Sequence, residues 1–198
     1  MAGDSFWIPT GSDMGQQSHN ALMAAAALTA AITAAAALAR EEGNMRISST
    51  AFSNQSAIPA SYTCEGKDIS PPLAWTDLQA GAKSLALIVD DPDAPDPAAP
   101  KMTWVHWVLY NMPATNGGLP EGVKALPAGT KEGVNDWKRT GYGGPCPPIG
   151  RHRYFFKLYT LDTVLPDLKQ PTKAKLEEAM KGHVIGEAQF IGTYQKSG

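Results

Sequence analysis

From residue 45 onward the apolar positions fall into short runs separated by turn residues. SLALIVDD (84–91) is an apolar run that ends in two acids, and WVHWVLYNM (104–112) mixes aromatic and β-branched residues and stops at Pro113. RYFFKLYTL (153–161) and VIGEAQFIGTY (184–194) complete the set. Runs of this length and composition predict strands. PTKAKLEEAMKG (171–182) predicts a helix, with Thr172 as N-cap and Gly182 as the C′ stop. Strands do not alternate with helices, so the pattern predicts a mainly antiparallel β fold with a peripheral helix, not a doubly wound α/β sheet. Residues 125–150 show no sustained period. A loop that long is usually functional or disordered, and Trp137, Tyr142 and the prolines argue for an ordered, site-forming one.

The N-terminal 45 residues read differently. ALMAAAALTAAITAAAALA (21–39) is uncharged and mostly alanine. A signal peptide fits the run and its Ala-Leu-Ala ending, but residues 1–20 hold Asp4 and Asp13 and no basic residue. A membrane anchor fits the length, though alanine is weakly apolar and basic flanks are missing. A soluble helix fits alanine's propensity, and translation could also begin at Met23 or Met45. The domain organisation is therefore an extension, 1–45, and a folded domain, 46–198. The domain is expected in the cytoplasm, or in the periplasm or outside the cell if residues 21–39 act as a signal.

Charge narrows the function. Lys and Arg number 17 against 19 Asp and Glu, for a net charge of −2. A nucleic-acid binder needs a basic excess that this chain lacks, whereas one local pocket for a small anion needs none. Only Cys64 and Cys146 are present, without a CxxC pair. They are either two free thiols or one long-range disulfide.

Strand parity brings candidate chemistry together. Alternate strand residues share a face, so His152, Tyr154 and Phe156 point one way and Arg153 and Phe155 the other. By the same rule Trp104, His106, Val108 and Tyr110 share a face. Asp91 and Asp93 sit where the 84–90 strand gives way to prolines. If these strand ends converge, two imidazoles, a phenol and two carboxylates meet at one rim, a set able to hold an anion or polar head group. Taken singly, each histidine reads first as a core or surface residue, a reading that weakens once both lie at strand ends beside Gly/Pro loops. A metal site through both histidines matches no compact ligand spacing. Cys146 with His152 as nucleophile and base lacks a surrounding signature. GYGGPCPP (141–148) is no P-loop, because no Gly-Lys-Ser/Thr follows it.

DPDAP (91–95), then WVHW (104–107), then GPCPPIGRHRYFF (144–156) resemble the two signature blocks of the phosphatidylethanolamine-binding protein family. ISPPLAW (69–75) and the GHV turn (182–184) resemble its bacterial branch, the Raf-kinase-inhibitor-like proteins. The resemblance covers residues 46–194. It implies a large antiparallel sheet packed with a smaller one, plus peripheral short helices. It implies a preformed pocket for phosphate-like anions and phosphorylated head groups, with no cofactor. By motif match, Asp91 orients the pocket, His106 and His152 line it and Tyr154 adds its hydroxyl. Trp104, Gly144 and Pro148 shape the walls, and Asp93 supports the loop. The family is regarded as binding and regulatory, so a small anion and a regulated protein partner are the expected partners, with a homodimer left open. A hydrolase or lyase using the His/Asp/Tyr cluster is the alternative. Where eukaryotic members carry two adjacent histidines, this chain has Val105 and His106. Cys64 and Cys146 are expected close in space.

Overall fold

The computed structural model describes residues 44–197, so the readings of the Ala-rich extension lie outside the described residues. Two sheets form the fold. In chain order the elements are β1 (Arg46–Ser48), β2 (Ser56–Ala57), a 3-10 turn (Ala60–Tyr62), β3 (Leu73–Thr76), β4 (Ser84–Ala94) and β5 (Met102–Pro113). Then follow β6 (Gly117–Leu119), β7 (Lys131–Glu132), β8 (His152–Leu161), α1 (Lys173–Met180) and β9 (Val184–Tyr194). The large sheet has the order β2-β9-β8-β4-β5-β7, antiparallel except where β2 joins β9. The small sheet is β1-β3-β6. The mainly β architecture of one large and one small sheet is thus present. Its long strands are the four apolar runs, each within three residues of the expected limits.

β4 is apolar at every position from Leu85 to Val89 because both of its faces are covered. On one face Leu85, Leu87, Val89, Trp107, Leu109, Phe156, Leu158 and Phe190 pack against Ile47, Leu73, Trp75 and Leu119 of the small sheet. On the other, Ala86, Ile88, Val105, Val108 and Tyr110 pack against Leu161, Leu165 and the helix residues Leu176 and Met180. The helix buries only those last two, one turn apart. Thr172 caps it by accepting from the Lys175 N–H at 3.4 Å, and Gly182 supplies the left-handed φ of 78° that ends it.

Simple alternation fails in β5, and the failure matters for function. Val89 pairs with Trp107 but Asp90 pairs with Val105, so His106 is the extra residue of a β-bulge. A second irregularity falls at Tyr110 and Asn111, where Asn111 has φ 55°. Val108 and Tyr110 therefore belong to the helix-side core, whereas His106 turns to the opposite face, beside Tyr154. The expectation that Trp104, His106, Val108 and Tyr110 share one face is corrected by the bulge at His106. In β8 the pairing to β9 runs without a break from His152 to Thr160 and that to β4 from Phe155 to Leu161, and the expected parity holds there.

Candidate functional site

The ends of β4, β5 and β8 meet around a cavity of about 340 Å³, within the size range of small-ligand pockets. Asp91, Ala94 and Pro95 come from β4 and its exit, Met102, Trp104 and His106 from β5, and His152 and Tyr154 from β8. The long loop supplies Trp137, Cys146, Pro147 and Pro148. Of the residues singled out from sequence, Asp91, Trp104, His106, Pro148, His152 and Tyr154 line this cavity. Asp93 and Gly144 do not.

The pocket floor is polar and buried. Asp91 Oδ1 accepts from the Asp93 N–H at 2.8 Å, and Oδ2 lies 2.7 Å from His152 Nδ1. His152 Nε2 donates to the Ile149 carbonyl at 2.9 Å. A carbonyl can only accept, so Nε2 carries a hydrogen. Burial raises the Asp91 carboxyl above its ordinary range, and the His152 hydrogen bond works against that rise. His106 is held by its loop on two bonds: Nδ1 donates to the Gly143 carbonyl at 2.7 Å, and the Gly143 N–H donates to the His106 carbonyl at 3.0 Å. Burial lowers the His106 imidazole to about 4, so it is neutral near pH 7. Burial likewise raises the Tyr154 phenol, with the Asp91 charge adding to it. Two polar atoms at this floor, His106 Nε2 and the Tyr154 hydroxyl, are buried without a hydrogen-bond partner in the protein.

The remaining residues hold the frame. Asp93 is gripped by Arg153, which donates from Nε at 2.9 Å, from Nη2 at 2.7 Å and from its backbone N–H at 2.9 Å. Chiefly for that reason the Asp93 carboxyl lies below the usual range. The clasp ties the exit of β4 to the start of β8 and fixes the geometry of Asp91 and His152. Arg153, on the opposite parity to His152, braces and does not line. Gly144 is a junction: its N–H donates to Asp68 Oδ1 at 2.6 Å, and a Cβ there would lie 2.5 Å from the Tyr62 carbonyl oxygen. At Gly143 a Cβ would lie 2.5 Å from the Trp137 ring. These glycines let the loop pass between Trp137 and the 60–68 segment.

That loop is ordered, as expected, by a specific network. Asn135 Oδ1 accepts from the N–H of Trp137 and Arg139, and Asn135 Nδ2 donates to the Gly141 carbonyl. Asp136 and Val105 exchange two hydrogen bonds. Tyr142 donates to the Tyr62 carbonyl at 3.0 Å. Cys64 and Cys146 form a disulfide, with Cα atoms 5.4 Å apart, and stitch the pocket wall to the same segment. The disulfide removes Cys146 as a nucleophile, and His152 has both nitrogens engaged, so the Cys146–His152 pair considered from sequence is not built. Both His152 nitrogens and His106 Nδ1 already face protein acceptors, which also takes away a metal site through the two histidines.

Sequence reasoning missed Trp137 as a wall. Its ring meets His106 edge-on at 5.1 Å and Trp104 edge-on at 5.5 Å. The available signal was a lone tryptophan directly after Asn-Asp, two residues that favour tight turns. Met102, Ala94, Pro95 and Pro147 gave no comparable signal.

The family profile for phosphatidylethanolamine-binding protein matches residues 48–195. A UPF0098 protein of Methanothermobacter thermautotrophicus is 50% identical over 155 residues, which are 77% of this chain and 99% of the relative. A solved structure described as a phosphatidylethanolamine-binding protein homolog from Chlamydia trachomatis aligns at 44% identity with a TM-score of 0.72, covering 78% of this chain and 99% of that one. That of E. coli YbcL, described as a member of the mammalian PEBP family, aligns at 30% identity and TM-score 0.71, covering 78% and 100%. The chain belongs to the phosphatidylethanolamine-binding protein family. No helix among the described residues is long and apolar enough to cross a membrane.

Proposed function

We propose that the pocket binds a small phosphate-type anion, free or as the phosphorylated head group of a larger molecule, and that binding, not turnover, is the protein's task. The observation that carries this reading is the pair of unpartnered buried atoms, His106 Nε2 and the Tyr154 hydroxyl, at the floor of a preformed cavity. Buried polar atoms are ordinarily satisfied, so two that lack a partner on residues lining one cavity point to a ligand that completes them. Family membership supports the phosphorylated class, since the family takes its name from a phospholipid. The rim suits a ligand with an apolar extension or a protein partner: Met102 is 47% exposed, Trp137 39% and Ile149 59%. Hydrolase or lyase chemistry has less support, because the cysteine is oxidised and His152 has no free nitrogen.

Isothermal titration of the full chain with inorganic phosphate and with O-phosphoethanolamine tests the reading. Saturable, mutually competitive binding is expected, with a change in tryptophan fluorescence because Trp104 and Trp137 line the cavity. Absence of binding, or undiminished binding in both Asp91→Ala and Tyr154→Phe proteins that remain folded, overturns it.

A further inference from the structure

His106 has two hydrogen-bonding nitrogens, and the fold uses one. Nδ1 lies 2.7 Å from the Gly143 carbonyl oxygen, which has no proton to give, so Nδ1 carries the hydrogen. In the neutral ring Nε2 is then a bare lone pair. It is buried, unpartnered within the protein, and belongs to a residue that lines the cavity. What His106 offers a ligand is therefore an acceptor. A fully ionised oxyanion offers only acceptors as well, so placing one against Nε2 would set two lone pairs against each other away from water. The Tyr154 hydroxyl differs, because it can donate to an oxyanion.

Charge points the same way. Among the described residues no lysine or arginine lines the cavity, and the Asp91 carboxyl is part of its lining. A second negative charge on the ligand would meet no lysine or arginine and would lie beside the Asp91 carboxyl.

We infer that the pocket selects an oxyanion that carries one proton: the ligand O–H donates to His106 Nε2 while another ligand oxygen accepts from the Tyr154 hydroxyl. This rests on the phosphate-type reading above and adds the protonation state of what is bound. The charged and titratable groups around His106 do not change the assignment. Tyr154 meets the ring edge-on at 5.1 Å. Asp90, Asp136 and Asp68 favour the imidazolium, but each is engaged elsewhere: Asp90 with Lys157 and Lys173, Asp136 with the Val105 N–H, Asp68 with the Gly144 N–H. Burial outweighs them, so near neutral pH the ligand and not the protein must bring the proton. The class that fits is a phosphomonoester monoanion, which keeps its proton below a second pKa of about 6. A sulfate monoester of the same shape and charge has none to give. A phosphodiester lipid head group has none on its phosphate and would have to donate from its ammonium.

Calorimetric titration of the full unmodified chain at pH 5, 6, 7 and 8 separates these cases. The probes are methyl phosphate, methyl sulfate and glycerophosphoethanolamine. Methyl phosphate is expected to bind at least about tenfold tighter than methyl sulfate at pH 5 and to weaken by about tenfold per pH unit above pH 6. Tyr154→Phe is expected to weaken methyl phosphate without altering that pH profile. Three results would each overturn the inference while leaving the anion-binding reading intact. They are methyl sulfate within about twofold of methyl phosphate, a methyl phosphate affinity unchanged from pH 5 to 8, and glycerophosphoethanolamine equal to methyl phosphate at pH 5. Failure of all three probes to bind at any pH removes both.

Discussion

Asp90 and Asp91 are adjacent, both buried, and face opposite sides of the large sheet, so they make a controlled comparison. On the helix side, Asp90 is met by two ammonium groups: Lys157 Nζ lies 2.8 and 2.9 Å from its two oxygens, and Lys173 Nζ lies 2.5 Å from Oδ2. On the cavity side, Asp91 meets one imidazole and the backbone, and beside it His106 Nε2 and the Tyr154 hydroxyl have no protein partner. The first carboxylate is over-supplied with cations and holds α1 to the sheet through Lys173. The second is part of an under-satisfied floor. Charge pairing of that kind serves structure, whereas the unpartnered groups beside the cavity are the ones the proposed ligand would complete.

The largest effect that tests this contrast is on the cavity side but away from its floor. The Cys64–Cys146 bond closes a sequence separation of 82 residues. Restricting the unfolded chain to that extent stabilises by about 4 kcal/mol in the loop-entropy account. Replacing both cysteines with serine should lower the urea midpoint accordingly and weaken pocket binding, since Cys146 is part of the wall. An unchanged midpoint would show that the wall is held by hydrogen bonds alone.

Next comes Asp90→Ala, which leaves Lys157 and Lys173 facing each other. A loss of about 3 kcal/mol is expected, at the lower end for a broken buried ion pair because the lysines keep some solvent contact. Methyl phosphate affinity of the folded protein should stay within about twofold. A large affinity change would mean that the two faces are coupled and the comparison fails.

The acid limb of stability probes the floor itself. An unfolded histidine takes up a proton near pH 6.5, but folded His106 resists until about pH 4. The unfolded state therefore binds more protons across that window, and stability falls as pH drops from about 6.5 to 4, by up to about 3 kcal/mol. Denaturation midpoints at pH 7 and 4.5 check the sign. If His106→Gln retains the same acid loss, His106 is not its source.

The smallest expected effect has the opposite sign. Tyr154→Phe removes a buried hydroxyl that has no partner in the protein, so stability should rise, by no more than about 1 kcal/mol, while anion affinity falls about tenfold or more. A variant that is both less stable and equally tight in binding would place that hydroxyl in the structural class with Asp90.

The four long strands of the large sheet were legible because they are apolar and bounded by proline and glycine, whereas its two-residue strands β2 and β7 were not. The helix was legible because Thr172 and Gly182 mark its ends. Six of the cavity-lining residues could be named from DPDAP, WVHW and GPCPPIGRHRYFF. The small sheet was not readable strand by strand: β1, β3 and β6 hold three or four residues each, too few for alternation to stand out. Asp93 and Gly144 lie beside lining residues in these motifs yet serve as a clasp and a junction, a difference that depends on Arg153, Asp68 and Tyr62, which are distant in sequence.

By itself the sequence determined the alternation of strands and turns, the capped helix and which chemical groups lie near strand ends, because these depend on neighbours along the chain. Only the tertiary structure decided which of those groups face the same space. The bulge at His106 arises from pairing with β4 and reverses the parity counted along β5. The same packing turns Nδ1 to Gly143, leaves Nε2 open, and sets Asp90 and Asp91 to different tasks. Hydrogen-bond satisfaction is a property of partners brought together by the fold, and no local spacing encodes it.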